Sequence, residues 1–293
     1  MEFQKINLDN IGYLTSFLKN QNYRQCDFTI GALYVWSDYY QFEYLIHNNT
    51  LYLRATIDGK IRYFIPLGNN LKDDISFLQE FAKKNNQELE FCFVPEAVLA
   101  EFTNMGYHIE AELDFFDYLY NIKDLIELSG NKYKRQRNHI NKFLRLYKNY
   151  QYQELTVDDI PKVLQFLERF NLDTPHKDCS KVFIYDLSKT YDLVKNFDKL
   201  GQIGGLLLVD GEIVALTIGE IIKDTIYIHT EKALRSYHGS YMMINNLFLK
   251  NNQNNQLQYV NREEDVGDEG LRQAKQSYRP IKLLNKFFVK IKL

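Results

Sequence analysis

Hydrophobic and polar positions along this chain recur with two periods, near 3.6 in some stretches and near 2 in others, so helices and strands are both expected. Leu8 to Lys19 carries Ile11, Leu14, Phe17 and Leu18 at helical spacing and predicts a first helix. FEYLIHN, TLYLRAT and KIRYFIPLG then alternate or run apolar and predict three strands, divided by His47-Asn48-Asn49 and by Asp58-Gly59. An Asp-Gly pair tolerates the positive φ that a tight hairpin turn needs. DDISFLQEFAKK predicts an amphipathic helix, with acids in its first turn and lysines in its last to match the helix dipole. ELEFCFV predicts a strand, PEAVLAEFTNMG a helix with Pro95 early and Gly106 as its stop, and ELDFFDYLYNI another strand.

The last part repeats this order. GGLLLV, Asp210-Gly211 and EIVALTIGEII predict a hairpin, and Lys223-Asp224 leads into the strand TIYIHTEKA. A helix headed by Gly239 (SYMMINNLFLK), an Asn/Gln-rich loop, the strand LQYVN, the helix VGDEGLRQAKQSY and the strand KFFVKIKL follow. Both parts read hairpin, strand, helix, strand, helix, strand. The reading is α+β with mixed sheets, as two copies of one unit: residues 1–120, a basic connecting helix at 121–150, and residues 151–293, which carry the active site.

Length and composition agree with two domains. The chain has 293 residues, 45% hydrophobic and 25% charged, ordinary globular values that exclude a disordered or collagenous chain. A net charge of −2 excludes a uniformly basic nucleic-acid coat, so any contact with nucleic acid is local. Cys26, Cys92 and Cys179 lie far apart, without a CxxC or a histidine at ligand spacing, so buried thiols are expected, and neither a metal site nor a disulfide framework. The first residues show no basic and then apolar leader, and the uncharged apolar stretch Ile203–Val209 is far short of a bilayer span. A soluble cytoplasmic protein is expected.

The sharpest charge feature is the connector. From Lys132 to Lys148 it carries seven basic residues, among them Lys134, Arg135 and Arg137, and no acid. Tyr133, Ile140, Phe143, Leu144 and Tyr147 fall near one helical face, which leaves the other face basic. Such a patch suits phosphates of tRNA, of an anionic lipid head group or of a nucleotide; the alternative is a solvated helix face. A second feature is the loop after TIYIHTEKA, where Arg235, His238, Gly239 and Ser240 precede a helix N-terminus and could line an anion site. The third is NREEDVGDEG, after a strand. Glu263 and Asp265 offer general-base carboxylates and Arg262 an anion clamp, whereas Asp268 and Glu269 read as caps and Glu264 as structural. His229 and Glu231 share one face of TIYIHTEKA, either as an edge of the core or as the floor of a site. His47, His108 and His176 have no evident partner and read as structural.

GNKYKRQRNHINKF, GGLLLVDGEIVALTIGE, YIHTEKA and YVNREEDVGDEGLRQAKQSYRP resemble a bacterial family related to the C-terminal domain of phosphatidylglycerol lysyltransferase. The element order of 203–293 is similar to the GNAT acyltransferase fold, here in tandem, and the FemABX peptidyltransferases are more distant relatives. The resemblance implies transfer of an acyl or aminoacyl group to an amine or hydroxyl. In ordinary GNAT enzymes a Q/R-x-x-G-x-G/A loop holds the pyrophosphate of acyl-CoA. Here the matching stretch is Ser236-Tyr237-His238-Gly239-Ser240-Tyr241, with serine in the first place and tyrosine in the last. That departure fits an aminoacyl-tRNA donor better than acyl-CoA.

Acceptor activation then falls to Glu263 or Asp265, orientation to Arg262 and His229, and the donor's phosphates to Lys134, Arg135 and Arg137. The acceptor is a small molecule, a lipid head group or a peptide, and no cofactor is expected beyond the donor. Two other readings share the fold: a non-catalytic module that binds RNA or an anionic metabolite, and a conventional acyl-CoA-dependent N-acetyltransferase.

Overall fold

The computed structural model describes residues 2–173 and 181–291. Cys179 and His176 lie outside the described residues. Packing divides the chain into two units, each with its own seven-stranded mixed sheet.

The first unit runs to Tyr118 and takes in Glu264–Arg272 and the segment from Leu283 onward. It contains β1 (Gln4–Lys5), α1 (Thr15–Asn20), α2 (Ile30–Trp36), β2 (Glu43–His47), β3 (Thr50–Ile57), β4 (Lys60–Tyr63), α3 (Leu71–Lys84), β5 (Glu90–Pro95), α4 (Leu99–Asn104) and β6 (Tyr107–Ala111). The β3–β4 hairpin turns at Asp58 and Gly59, both at positive φ (+53° and +73°), as the Asp-Gly pair predicts. Asn70 caps α3 by accepting from the Asp73 amide, and Lys83 and Lys84 end it.

Three predicted elements are shorter than expected. A 3₁₀ turn at Ile11–Leu14 precedes α1, another at Glu96–Val98 precedes α4, and a third at Leu113–Phe115 interrupts the predicted strand over 112–122. In the last, the Leu113 side chain faces solvent and Asp114 turns toward Arg272, so the alternation there does not mark a buried strand.

The second unit comprises Leu119–Glu263 and Gln273–Lys282. Its elements are β7 (Asp117–Asn121, begun in the first unit), α5 (Ile122–Glu127), α6 (Lys134–Leu146), β8 (Tyr150–Glu154), α7 (Ile160–Asp173), α8 (Lys181–Asn196), β9 (Ile203–Val209), β10 (Glu212–Ile222), β11 (Thr225–Ala233), α9 (Ser240–Asn252), β12 (Tyr259–Asn261), α10 (Glu269–Ser277, whose first residues count with the first unit) and β13 (Lys282–Leu284, whose last residues do). The sheet order is β13-β7-β12-β11-β10-β9-β8. Phe143 of α6 is fully buried against β9, β10 and α9 residues, with Ile140, Leu144 and Tyr147 beside it, so the apolar stripe of the basic helix does face a core.

The last strand, β14 (Lys286–Ile291), belongs to the first sheet, whose order is β1-β2-β3-β4-β5-β14-β6. It pairs antiparallel with both neighbours, Phe287 facing Val94 and Ala111. The first unit is therefore discontinuous in sequence, and residues 121–150 pack within the second unit, where the linear ranges 1–120, 121–150 and 151–293 set them apart.

Candidate functional site

β11 and β12 run parallel from the Thr225–Tyr259 pair to the Tyr227–Asn261 pair, and β11 then continues to Ala233 paired with β10 but no longer with β12. Where the two strands part stand His229 and Glu231 of β11 and Arg262 and Glu263, which directly follow β12. A crevice at the ends of parallel strands is where α/β scaffolds gather ligands.

His229 owes its position to a β-bulge. Ile218 pairs with Thr230 and Gly219 with Ile228, so His229 is the extra residue. Gly219 permits the bulge, because a Cβ there would lie 2.0 Å from the Tyr227 carbonyl oxygen. The ring of His229 is 1% exposed, with Nδ1 2.7 Å from Glu263 Oε1 and Nε2 3.0 Å from Glu220 Oε1. Burial alone would lower its pKa, but the hydrogen bonds to Glu220 and Glu263 outweigh it and raise the value to about 10. At neutral pH the ring is an imidazolium that donates to both carboxylates.

The neighbouring pair is Arg262 and Glu231, at 3.0 Å. Glu231 also accepts from Asn245 of α9 at 3.0 Å, and the Arg262 guanidinium lies 4.7 Å from the centre of the Tyr278 ring. Burial opposes the Arg262 charge, yet Glu231 holds its pKa above the ordinary value. Its Nη1 is buried and makes no hydrogen bond among the described residues.

Asp265 is not among these groups. It belongs to the first unit, 2% exposed, where it accepts from Arg272 Nε (2.9 Å) and Nη2 (2.8 Å), from Tyr118 (2.5 Å) and from the Gly267 amide (2.9 Å). Burial raises its pKa, and the bonds from Arg272 and Tyr118 more than reverse this, leaving the carboxyl below its usual range. Its accepting sites are engaged in holding the chain. Asp268 caps α10 by accepting from the Leu271 amide at 2.6 Å, as expected.

The basic connector and the glycine loop meet within the second unit. His139 of α6 stacks on His238, with ring centres 5.1 Å apart, and the His238 amide donates to the Tyr147 hydroxyl at 3.0 Å. Burial and the nearby charges of His238, Arg135 and Lys142 push the His139 pKa down. Gly239 has φ +84°, and a Cβ there would lie 2.5 Å from the His139 carbonyl oxygen, so only glycine fits. Lys134 and Arg135 face solvent. Arg137 instead donates to the Leu128 and Gly130 carbonyls and fixes the turn between α5 and α6. Ser240 is buried and donates to the Leu234 carbonyl at 3.2 Å. Arg235 is exposed, and its amide and that of Ser236 donate to the Asp173 carboxylate at the end of α7, at 2.5 and 3.4 Å.

Glu220, Asn245 and Asp173 escape the sequence reading. Gly219 inside an apolar strand is the signal that marks the bulge and, with it, Glu220. The reading of Glu264 also misses its surroundings. In the first unit Lys286, wholly buried, stands 2.6 Å from Asp27, 2.7 Å from Asp117 and 3.4 Å from Glu264. Cys26 and Cys92 are buried thiols, as expected. Cys26, Asp27 and Asp117 bring potential ligand atoms within 4.8 Å of one another, but the Lys286 ammonium supplies the cation among them. Among the described residues no helix is long and apolar enough to cross a membrane.

Comparison with known proteins gives the same fold over the whole chain. A conserved protein of unknown function from Bacteroides thetaiotaomicron is 31% identical, with a TM-score of 0.89 and complete coverage of both chains. The structure of L-PGS from Bacillus licheniformis shares the fold at 15% identity and TM-score 0.66, covering 96% of this chain and 91% of that one. FemX does so at 10% identity and TM-score 0.63, covering 100% and 98%. An uncharacterised protein from Mycoplasmoides gallisepticum is 26% identical over 181 residues, 60% of this chain, and the match spans only 56% of that relative. These likenesses establish the tandem GNAT-like α+β fold. The family model described as phosphatidylglycerol lysyltransferase, C-terminal, matches residues 19–290, and the chain belongs to that family.

Proposed function

We propose that the chain transfers an aminoacyl group from aminoacyl-tRNA to an amine or hydroxyl acceptor, in the second unit. The observation that carries this reading is the parting of β11 from β12 with His229, Glu231, Arg262 and Glu263 at the gap. Family membership supports a transferase, and the relatives named for lysylphosphatidylglycerol synthesis and FemX suggest a lipid head group or a peptide as acceptor, with a small molecule as the third choice.

In this reading Glu263 accepts the acceptor's proton as its nitrogen or oxygen attacks the ester carbonyl. The new bond to the carbonyl carbon forms, the ester C–O bond breaks, and the departing tRNA hydroxyl takes the proton. Arg262 Nη1 donates to the developing oxyanion. His229 is a positioning residue that fixes Glu263. Asp265, tied to Arg272, is the weaker choice of base. Lys134 and Arg135, with Arg235 and His238, are the residues for donor phosphates, while Arg137, Gly239 and Ser240 shape the surface they stand on.

A CoA donor is disfavoured because the Arg235 and Ser236 amides already hold Asp173, which a pyrophosphate would have to displace. The test is binding of bulk aminoacylated tRNA at 50 and 200 mM salt, followed by transfer to candidate amines. Binding that weakens steeply with salt, with a slope smaller by about 2 in a Lys134→Glu, Arg135→Glu variant, supports the reading. Absence of binding at both salts removes the tRNA donor and returns the choice to acyl-CoA or a non-catalytic anion binder.

A further inference from the structure

The first unit holds a cavity of about 510 Å³ that transfer in the second unit does not use. That volume lies within the range of small-molecule sites. Its floor is one face of the first sheet, with Ile57 of β3, Arg62 of β4, and Phe288 and Lys290 of β14, and Tyr39 and Phe115 add aromatic wall.

Arg62 brings an unsatisfied donor to this cavity. Its side chain is only 7% exposed; Nε donates to Glu90 at 3.0 Å, and the guanidinium lies 4.3 Å from the centre of the Phe288 ring. Nη1 is buried and makes no hydrogen bond among the described residues. The Asp58 carboxylate stands 3.7 Å from it, too far for a hydrogen bond, on a side chain 84% exposed that can swing aside. A buried guanidinium N–H without an acceptor has lost its water and gained nothing in return, so an incoming oxygen is favoured there.

Of the other charged groups that line the cavity, Asp58, Glu110 and Glu112 are acidic and Lys290 is basic. Glu110 is engaged with Lys290 at 3.5 Å and His108 at 3.1 Å. Glu112 is half-buried; burial raises its pKa, the Arg62 charge pulls it down, and Glu110, Asp114 and Asp58 push it up again. A dianion such as phosphate meets three carboxylates here, and a simple cation leaves Arg62 unsatisfied. A ligand with a carboxylate beside an ammonium answers both, and the aromatic wall offers apolar surface to a side chain.

We propose that this cavity binds a free α-amino acid, its carboxylate on Arg62 Nη1 and its ammonium on Glu112. The site is independent of the transfer reading.

The test is calorimetric titration of the full chain with each of the twenty common L-amino acids, with their amides and with their N-acetyl forms. At least one free amino acid binds saturably, and its amide and N-acetyl form bind at least tenfold more weakly. Glu112→Gln, which leaves the Arg62–Glu90 pair intact, weakens the free amino acid at least tenfold. Ile57→Trp, on the same face of β3 as Arg62 is on β4, fills the cavity and abolishes binding; thermal unfolding of both variants verifies that they are folded. No saturable binding up to about 10 mM overturns the proposal, as does equal binding of acid and amide, or binding indifferent to both variants.

Discussion

Lys286 and Asp117 form an ion pair at 2.7 Å in which both side chains are fully buried. Burial alone would discharge the ammonium, but Asp117 and Asp27 hold its pKa well above the ordinary lysine value. Lys286→Met removes the cation and leaves Asp117, Asp27 and Glu264 without compensation. A loss of about 3–5 kcal/mol is expected on breaking such a pair from one side, measured by urea unfolding. A loss below about 1 kcal/mol would show that the cluster contributes little.

The same cluster sets a pH dependence. Burial raises the Asp27 pKa to about 7; the Lys286 charge opposes this, and Asp117 and Glu264 add to the rise. A carboxyl whose folded pKa exceeds its unfolded value favours folding most when protonated, so its contribution is present in full near pH 4 and is lost as pH rises toward 7. Asp27→Asn should therefore gain stability relative to the native chain between pH 4 and 7. Denaturation midpoints that track in parallel across that window would refute this.

His229 titrates higher. With a folded pKa of about 10, its contribution is complete below about pH 6.5 and disappears as pH rises through 10. His229→Gln should flatten the fall in stability between pH 7 and 10. Titration of the ring resonances by NMR reads the pKa directly, and a value near 6.5 would contradict the clamp by Glu220 and Glu263.

Glu263 and Asp265 differ in what surrounds them, and their variants should differ too. Glu263→Gln is expected to lower transfer by 10²–10⁴-fold in protein that still folds, and to lower the His229 pKa with it. Asp265→Asn weakens the bidentate Arg272 pair and the Tyr118 bond, so its main effect should be on stability. The reverse pattern would reassign the base.

Gly239→Ala forces a left-handed φ on alanine and drives its Cβ against the His139 carbonyl. The conformation alone costs about 1–2 kcal/mol, and the clash adds to it. Thermal unfolding measures the sum, and a neutral substitution would mean that α6 yields at His139.

Local chemistry is legible in the sequence and long-range pairing is not. The hairpins at Asp58-Gly59 and Asp210-Gly211 follow from residues that tolerate positive φ, and the dipole-matched charges of α3 mark both of its ends. His229 and Glu263 stand out as a polar residue on an apolar strand and an acid directly after one. Their meeting depends on a bulge that only Gly219 hints at. Val163, Phe166, Leu167 and Phe170 recur at the helical spacing that α7 adopts, a signal that the reading as two repeated units passes over. Lys286, at the head of KFFVKIKL, looks like the solvated end of a strand; its burial follows from the insertion of β14 between β5 and β6.

That insertion has a consequence for synthesis. In a chain that lacks residues 286–291, β6 has no strand to pair with and β5 presents an open edge, whereas β8 to β12 are available to one another. The second unit is therefore expected to complete before the first, against the usual order in which the N-terminal part folds first. A released chain truncated before Lys286 should carry a protease-resistant second unit and a protease-sensitive first one. Until β14 arrives, the exposed edges of β5 and β6 are where a chaperone, or another unfinished copy, would attach.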